Sequence, residues 1–268
     1  MSIKVVSNSP IINVMASAVF KAAKGLLHDY GELDQLQVSR KGLGDFVLSA
    51  DKKSEHVLIQ ELSKAKPDYN FITEESGEIK NSESDFYWVI DPLDGTQNFL
   101  HAIPHFAIAV ALMRANTVLA AVTYDPIKDE LFWAEKGKGA FLNKRKIRVS
   151  NRKEFDRCVV SLGWRPRDKE NAHFIKMSKS HVFTEMGAVR QMGAATLDFA
   201  YVACGRFDAY IVDSGLKLWD MAGGILLVQE ALGTVTETTF SKKMLETGSV
   251  LAANQEIHQP LHNLLNID

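Results

Sequence analysis

Apolar residues near the N-terminus recur at the spacing of a helix. Ile12, Met15, Val19 and Leu26 follow one another at steps of three, four and seven residues, which is the period of one helical face. A shorter stretch of the same kind runs from Val57 to Ala65. Two helices are therefore predicted to open the fold.

The helical period is lost between these two stretches. The segment from Arg40 to Ser54 carries glycines, acids and basic residues without a regular apolar spacing. It predicts a loop or short strand that contains Asp45 and Asp51. An alternative prediction makes Asp51 the N-cap of the second helix.

Short apolar runs replace the helical pattern after Pro67. They are bounded by turn residues and predict strands, several of them in antiparallel succession. The runs cover residues 69–73, 87–90, 106–112, 118–123 and 131–134. Gly137-Lys138-Gly139 is typical of a hairpin turn, and the basic run from Lys144 to Arg148 is typical of a solvated strand edge.

Helices and strands alternate beyond about residue 150. Strands are predicted at 159–162, 209–212 and 250–253, and helices at 169–179, 197–204, 221–232 and the C-terminus. This pattern predicts a mixed α/β (α+β) fold in which helices cover the sheets. Because no linker or repeat interrupts the chain, residues 1–268 are predicted to form a single domain of two closely packed halves, about 1–150 and 151–268.

Composition narrows the class of protein. The chain has 268 residues, of which 46% are hydrophobic, so it can bury a large core without disulfides. Its formal net charge of -2 gives no general attraction to nucleic acid or to an anionic membrane. Cys158 and Cys204 predict reduced thiols. With neither a signal sequence nor a run of about 20 apolar residues, a soluble, cytoplasmic protein is expected.

The strongest candidate for chemistry is an apolar strand that runs into Asp91-Pro92-Leu93-Asp94-Gly95-Thr96. Proline stiffens a turn and can hold the two carboxylates convergent. Glycine lets the backbone approach a bound group, and the amides of Gly95 and Thr96 can face an anion if they open a helix. Oxygen ligands beside an anion site indicate a magnesium and phosphate site, although an ordinary strand-to-turn connection has the same residue types.

Three further acidic clusters strengthen the metal hypothesis. The first is the pair Glu74 and Glu75, which follows a predicted strand. The second is Asp220, which opens a predicted helix, where an N-cap is the alternative. The third is Asp51. Carboxylates brought together repel one another and bind protons unless cations compensate them. Their clustering therefore indicates a bound metal.

The acidic motifs, taken in order, resemble the inositol monophosphatase family of magnesium-dependent, lithium-sensitive phosphatases. The resemblance rests on Glu74-Glu75-Ser76, on Asp91 to Thr96 with Asn98-Phe99, and on Trp219-Asp220-Met221-Ala222-Gly223-Gly224. It implies a layered α/β/α/β/α sandwich of the inositol monophosphatase and fructose-1,6-bisphosphatase type, usually dimeric. The implied activity is hydrolysis of a phosphate monoester of a small polyol, with myo-inositol monophosphate as the leading substrate.

The resemblance also assigns roles to individual residues. The implied magnesium ligands are Glu74, Asp91, Asp94, Asp220 and the carbonyl of Leu93. Asp51, Glu74 and Thr96 are implied to act on the attacking water. The implied substrate contacts are Asp94, Gly95, Thr96, Ala195, Asp213 and Asp220.

Three positions depart from the family pattern. Ala194 replaces a hydroxyl residue in the element that resembles G-[ST]-A-[AS]-L, and Asp213 replaces a glutamate. Arg40 stands where relatives often have a lysine five residues before an aspartate, here Asp45. A surface charge is an equally open interpretation of Arg40.

Several other functions fit parts of the same sequence pattern. The same metal turn serves phosphatases of fructose 1,6-bisphosphate, histidinol phosphate and 3′-phosphoadenosine compounds. A partner in an RNA-processing or transcription complex is a hypothesis of another class, and only the basic run from Lys144 to Arg148 supports it locally. His101 and His105 are four residues apart, but Pro104 disfavours the helix that would make them a metal pair. The chain carries no G-x-S-x-G, P-loop or G-x-G-x-x-G motif.

Overall fold

A computed structural model describes residues 7–36, 43–163, 185–238 and 244–265. Arg40 and the helix predicted at 169–179 lie outside the described residues. Asp45 lies in a described helix, but its side chain is not among those described.

The two predicted N-terminal helices are present. They are α1 (Pro10–Leu36) and α2 (Leu43–Ala65). By length and composition alone, Pro10–Leu33 could cross a membrane. However, Ile12, Met15 and Val19 are fully buried in the largest core cluster. A helix that packs in a protein core can have the same length and composition.

The predicted loop around Asp51 is wrong, because α2 begins at Leu43. Asp51 is therefore an interior helical residue, and it is not the N-cap of the helix. The sequence period failed here because the face of α2 that turns inward carries polar side chains. Asp51, Ser54 and Glu55 are each only 3% exposed.

The first sheet has eight strands in the order β2-β1-β3-β4-β5-β6-β7-β8. They are β1 (Asn70–Thr73), β2 (Gly77–Ile79), β3 (Phe86–Asp94), β4 (Ala107–Arg114), β5 (Thr117–Asp125), β6 (Glu130–Glu135), β7 (Gly139–Leu142) and β8 (Arg145–Ile147). From β3 to β8 neighbours are antiparallel, as predicted, while β1 pairs parallel to β3. The hairpin turn at Gly137 and the edge strand in the basic run are confirmed.

In the part of the chain that the structure describes, the second sheet has five strands in the order β10-β9-β11-β13-β12. They are β9 (Val159–Gly163), β10 (Ala188–Arg190), β11 (Ala209–Val212), β12 (Thr234–Thr236) and β13 (Val250–Ala253). β10, β9 and β11 run parallel to one another. Their carboxyl ends therefore lie at one edge of the sheet.

The remaining helices complete the layers. They are α3 (Thr96–Leu100), α4 (Ala195–Ala203), α5 (Leu218–Glu230), α6 (Met244–Thr247) and α7 (His258–Leu265), with a short 3-10 turn at Phe155–Arg157. α1 and α2 pack on one face of the first sheet, and α4 and α5 lie between the two sheets. α7 packs on the outer face of the second sheet. The predicted α/β/α/β/α sandwich is thus confirmed.

Candidate active site

Strand register brings the first two acids together. β1 pairs parallel with β3, and Thr73 lies opposite Ile90. Glu74 and Asp91 are the next residues along their chains, so they leave the two strands side by side. The carboxyl groups of Glu74 and Asp91 lie near enough for each to influence the pKa of the other.

Asp91 and Asp94 share one side of β3 because the strand is bulged. Asp91 lies opposite Ala109 and Asp94 opposite Ala107, so three steps on β3 match two steps on β4. Residues three apart point to opposite faces of a regular strand, and one extra residue restores the phase. The predicted turn is therefore wrong in form, since β3 continues to Asp94. Proline is tolerated at a bulge because it needs no ladder hydrogen bond there.

Hydrogen bonds join helix α2 to the end of β3 and to the residues that follow β1. The hydroxyl of Ser54 donates to the carbonyl of Pro92 at 2.8 Å. The carboxylate of Glu55 accepts hydrogen bonds from the backbone N–H of Glu75 at 3.0 Å and from the hydroxyl of Ser76. Since Asp51 lies three and four residues before Ser54 and Glu55, it is on the same side of the helix.

Asp94 joins the first sheet to the layer between the sheets. Its carboxylate accepts from the N–H of Ala195 at 3.1 Å, the N–H of Thr196 at 2.7 Å and the hydroxyl of Thr196 at 2.6 Å. These donors belong to the first turn of α4, which follows β10. These hydrogen bonds to Asp94 thus link the second half of the chain to the acids of the first half.

Asp220 is the third residue of α5 and does not open it, because the helix begins at Leu218. Its carboxylate accepts from the backbone N–H of Lys217 at 2.7 Å. A carboxylate in the first turn satisfies an amide that the helix leaves without a partner. Asp220 is therefore not the N-cap residue, but its side chain does cap the helix. This capping is compatible with a role in the site, because Asp220 also acts electrostatically on Glu74, Asp91 and Asp94.

Burial and mutual repulsion raise the pKa values of these acids. Burial raises the pKa of Asp51 to about 8, with a smaller contribution from the charges of Glu74 and Glu75. Glu74 is more exposed than the aspartates, and partial loss of solvent and then the charge of Asp220 raise its pKa to about 7. The carboxyl of Asp91 is enclosed, and burial, Asp94 and Glu74 hold its pKa well above the ordinary value.

Hydrogen bonds limit the rise at Asp94. Burial raises its pKa to about 6, and the bonds donated by Thr196 oppose that rise. Asp51, Glu74, Asp91, Asp94 and Asp220 therefore behave as one electrostatic cluster of five carboxyl groups. Burial and the charges of the other four acids all raise the pKa of Asp91.

The donor chemistry of this cluster fits a hard divalent cation. Carboxylate and carbonyl oxygens are the ligands that Mg²⁺ prefers. Asp51 keeps one buried oxygen, Oδ1, without a hydrogen-bond partner, and such an atom is costly unless something binds it. Within the described ranges, no three acidic, histidine or cysteine side chains are already arranged as a metal-binding group. Several of the acids instead accept a hydrogen bond from a backbone amide. A carboxylate that does so keeps further lone pairs that can bind a cation.

The turn after Asp94 adopts the predicted helix start. Gly95 has a left-handed φ of 90° and precedes α3, which begins at Thr96. A Cβ at Gly95 would lie 3.0 Å from the carbonyl oxygen of His105, so glycine is required both for its φ and for space. The hydroxyl of Thr96 donates to the carbonyl of Leu93 at 3.0 Å.

The predicted polyol contacts lie at the carboxyl edge of the second sheet. Ala195 begins α4, and Asp213 directly follows β11. Asn98 connects this edge to α3, because its side-chain amide donates to the carbonyls of His105 and Met192, both at 2.8 Å. The structure thus brings Ala195 to Asp94 directly and places Asp213 at the same sheet edge.

The two histidines set aside on sequence grounds do not form a pair on a helix. α3 ends at Leu100, His101 is exposed, and His105 is buried with its ring against that of Tyr201. Burial lowers the pKa of His105 to about 4, so its imidazole is neutral near pH 7.

Sequence reasoning missed four residues that support the site. They are Ser54, Glu55, Thr196 and Asp198, the last of which accepts a hydrogen bond from Ser161 at 2.9 Å. The spacing of Ser54 and Glu55 from Asp51 would have revealed the first two, had α2 been predicted to begin earlier. Neither Thr196 nor Asp198 carries a local signal, because their partners lie on other strands.

Comparison with known proteins gives the family. The model of the inositol monophosphatase family matches residues 7–266. The chain belongs to this family. Membership makes it an enzyme of the phosphoric monoester hydrolase class, and the acids derived above are the motifs by which the sequence resembles the family.

Individual relatives of this inositol monophosphatase family member carry two kinds of name. An inositol-1-monophosphatase of Rhizobium meliloti (strain 1021) is 46% identical over 259 residues, which cover 97% of each chain. A protein named Nus factor SuhB from Escherichia coli (strain K12) is 39% identical over 248 residues, which cover 92% of each. A solved structure, the extragenic suppressor protein suhB from Bartonella henselae, superposes with a TM-score of 0.87 at 42% identity and covers 96% of this chain and 99% of that one.

Proposed function

We propose that this family member hydrolyses a phosphate monoester of a small polyol in the presence of Mg²⁺, with myo-inositol monophosphate as its substrate. The observation that supports the reaction most directly is that Asp51, Glu74, Asp91, Asp94 and Asp220 form one electrostatic cluster, in which the four aspartates are buried. Such a cluster is unfavourable for the fold by itself. The similarity to a protein named inositol-1-monophosphatase supports the substrate.

Five groups are proposed to hold Mg²⁺. They are the carboxylates of Glu74, Asp91, Asp94 and Asp220 and the carbonyl of Leu93. When bound, Mg²⁺ supplies a Lewis acid that activates water and balances the negative charge of the phosphoryl oxygens. The carbonyl of Leu93 already accepts from Thr96, and its second lone pair remains for the cation.

Asp51 and Thr96 are proposed to act on the attacking water. Asp51 has a buried oxygen without a hydrogen-bond partner, so this oxygen can accept a proton from the water. The hydroxyl proton of Thr96 is held by the carbonyl of Leu93. The oxygen of Thr96 is therefore oriented as an acceptor, and together the two side chains orient a water for attack on phosphorus.

The polyol is proposed to lie between the start of α4 and Asp213, with the phosphate near the amides of Gly95 and Thr96. Ala194 is 1% exposed, and its Cβ lies 3.3 Å from the position that a Cβ at Gly95 would occupy. A hydroxyl residue at position 194 would have to fit this close contact. Asp213 is one methylene shorter than glutamate, and it is proposed to contact a substrate hydroxyl.

Asp91→Asn is expected to abolish phosphate release from myo-inositol 1-phosphate. The change removes a negative oxygen from the most enclosed carboxyl group of the cluster. Loss of groups that merely support metal ligands costs about 10- to 100-fold in activity or metal affinity, so loss of a proposed ligand should cost at least about 100-fold. Phosphate release is measured as Mg²⁺ is titrated, with Li⁺ inhibition as a second readout.

Asp85→Asn is the matched control. Asp85 is exposed, pairs with Arg114 and precedes the same strand β3, so its variant should keep full activity. Activity of Asp91→Asn equal to that of the control would contradict the proposal, as would phosphate release that needs no divalent cation.

The same assay separates the alternative functions. Phosphate release from fructose 1,6-bisphosphate, histidinol phosphate or a 3′-phosphoadenosine compound, in preference to inositol phosphate, would reassign the substrate. The relative named Nus factor SuhB and the exposed basic strand β8 favour a transcription or RNA partner as a second candidate. A chain that served only as such a partner would release phosphate from none of these compounds. The homodimer and the cytoplasmic location stay predictions.

A further inference from the structure

The start of α4 lacks a capping side chain of its own. Its N-cap residue is Ala194, which makes no side-chain hydrogen bond to the helix. The first amides of a helix have no partner within the helix. Here Asp94, from β3 of the other sheet, accepts from the N–H groups of Ala195 and Thr196 and so caps α4 from outside.

Thr196 adds a third bond that a helix cap does not require. Its hydroxyl donates to the same oxygen, Oδ2 of Asp94, at 2.6 Å, and the Thr196 side chain is 1% exposed. Two donors from one residue thus converge on one carboxylate oxygen. A carboxylate held by three donors has one orientation, although Asp91 and Asp220 repel it.

We propose that Thr196 is the positioning residue for Asp94, and that this pair links the proposed Mg²⁺ ligand to the first turn of α4, where the polyol would bind. The inference rests on the proposed function, which makes Asp94 a ligand. Oδ2 accepts two hydrogen bonds from α4 and Oδ1 accepts one, so Oδ1 keeps a lone pair for a cation. Fixing a ligand in this way is what supporting hydrogen bonds do around metal sites.

The test compares two substitutions of Thr196 in the full chain. Thr196→Val keeps the shape and removes the hydroxyl, whereas Thr196→Ser keeps the hydroxyl. The dissociation constant for Mg²⁺ is measured by titration calorimetry without substrate. Because hydrogen bonds to charged groups are the stronger ones, Thr196→Val should raise the dissociation constant about tenfold or more. Thr196→Ser should bind Mg²⁺ as the unchanged chain does.

Two further variants keep the test decisive. Thr123→Val is the matched control, since the Thr123 hydroxyl is buried without a hydrogen-bond partner, and its Mg²⁺ affinity should equal that of the unchanged chain. If Thr196→Val does not fold, Thr196→Ala removes the same hydroxyl with a smaller side chain and should show the same loss of affinity.

The outcomes distinguish positioning from a purely structural role. A lower thermal midpoint of Thr196→Val with unchanged Mg²⁺ affinity would overturn the inference, because Thr196 would then only stabilise the helix. Failure of the unchanged chain to bind Mg²⁺ or to release phosphate would overturn the proposed function itself. Weaker Mg²⁺ binding that Thr196→Ser restores would support the inference.

Discussion

At the scale of single residues, the site is defined by acids whose ionised form is destabilised by the fold. Asp51, Asp91 and Asp94 lie in the interior, where burial and neighbouring carboxylates raise their pKa values. An isolated carboxylate in such a position prefers to be protonated. The folded, metal-free protein is therefore expected to bind protons that the unfolded chain releases.

This expectation fixes the direction of a pH effect. In the unfolded chain, aspartate and glutamate titrate near pH 4, whereas the fold raises the pKa of Asp51 to about 8 and of Glu74 to about 7. Their contribution to stability is complete below the unfolded pKa and is lost as the pH rises through the folded pKa. With a chelator present, the thermal midpoint should fall between about pH 5 and pH 8.

Two controls accompany the pH series. Saturating Mg²⁺ should remove most of the decline, because a bound cation compensates the ionised carboxylates. Asp51→Asn should make the metal-free decline shallower, since it removes one titrating group. A midpoint that rises with pH in the chelated protein would show that these acids are already ionised and compensated in the fold.

At the scale of elements, two adjacent glycines of α5, Gly223 and Gly224, pack against different neighbours. A Cβ at Gly224 would lie 2.3 Å from Cγ of Phe199 on α4, which is too close for any real contact. A Cβ at Gly223 would meet only the Cβ atoms of Ala121 at 3.4 Å and Ala111 at 3.9 Å. The adjacent glycines therefore face different neighbours, and only Gly224 is required by packing.

Substitution by alanine should give opposite results at these positions. Gly224→Ala forces α4 and α5 apart, and overpacking of this kind costs about 1–3 kcal/mol. Gly223→Ala should be neutral or stabilise the protein by up to about 1 kcal/mol, because alanine is the better helix former. The free energy of unfolding of both variants is measured by urea titration in chelator. Equal losses for the two would contradict this account.

The elements also show where sequence patterns succeed and fail. The apolar runs predicted α1, α4 and the central strands, because burial of one face imposes a period on the residues. α2 was predicted to begin too late, since its inward face carries Asp51, Ser54 and Glu55 in place of apolar side chains. The bulge in β3 was also not predicted, because a bulge is defined by pairing with β4.

At the scale of the whole molecule, the layer of α4 and α5 belongs to both halves of the chain. One core cluster contains Phe132 of the first sheet, Phe199 and Leu227 of this layer and Tyr210 of the second sheet. The carboxylate of Glu230 also accepts from backbone N–H groups of the turn between β6 and β7, each at 2.7 Å. Each half therefore buries part of its apolar surface against the other.

One cooperative unfolding transition is therefore expected for the chain. Trp88 and Trp133 lie in the first sheet and Trp219 lies in α5, so tryptophan fluorescence follows the packing of both halves, while far-ultraviolet circular dichroism follows the secondary structure. Both signals should follow the same curve in urea with a chelator present. Two separated transitions would contradict the prediction of a single domain.

The sequence by itself determined the class of fold, most of the elements and the acidic motifs that mark the family. Those features are local, because the period of an element and the residues of a motif involve positions that are close together in the sequence. Only the tertiary structure decided that Glu74 lies beside Asp91, that α2 contributes Asp51, and that Thr196 holds Asp94. Each of these depends on the register between strands or on packing between layers, which joins residues up to 102 positions apart. Burial, and with it the raised pKa values, follows from the same long-range contacts.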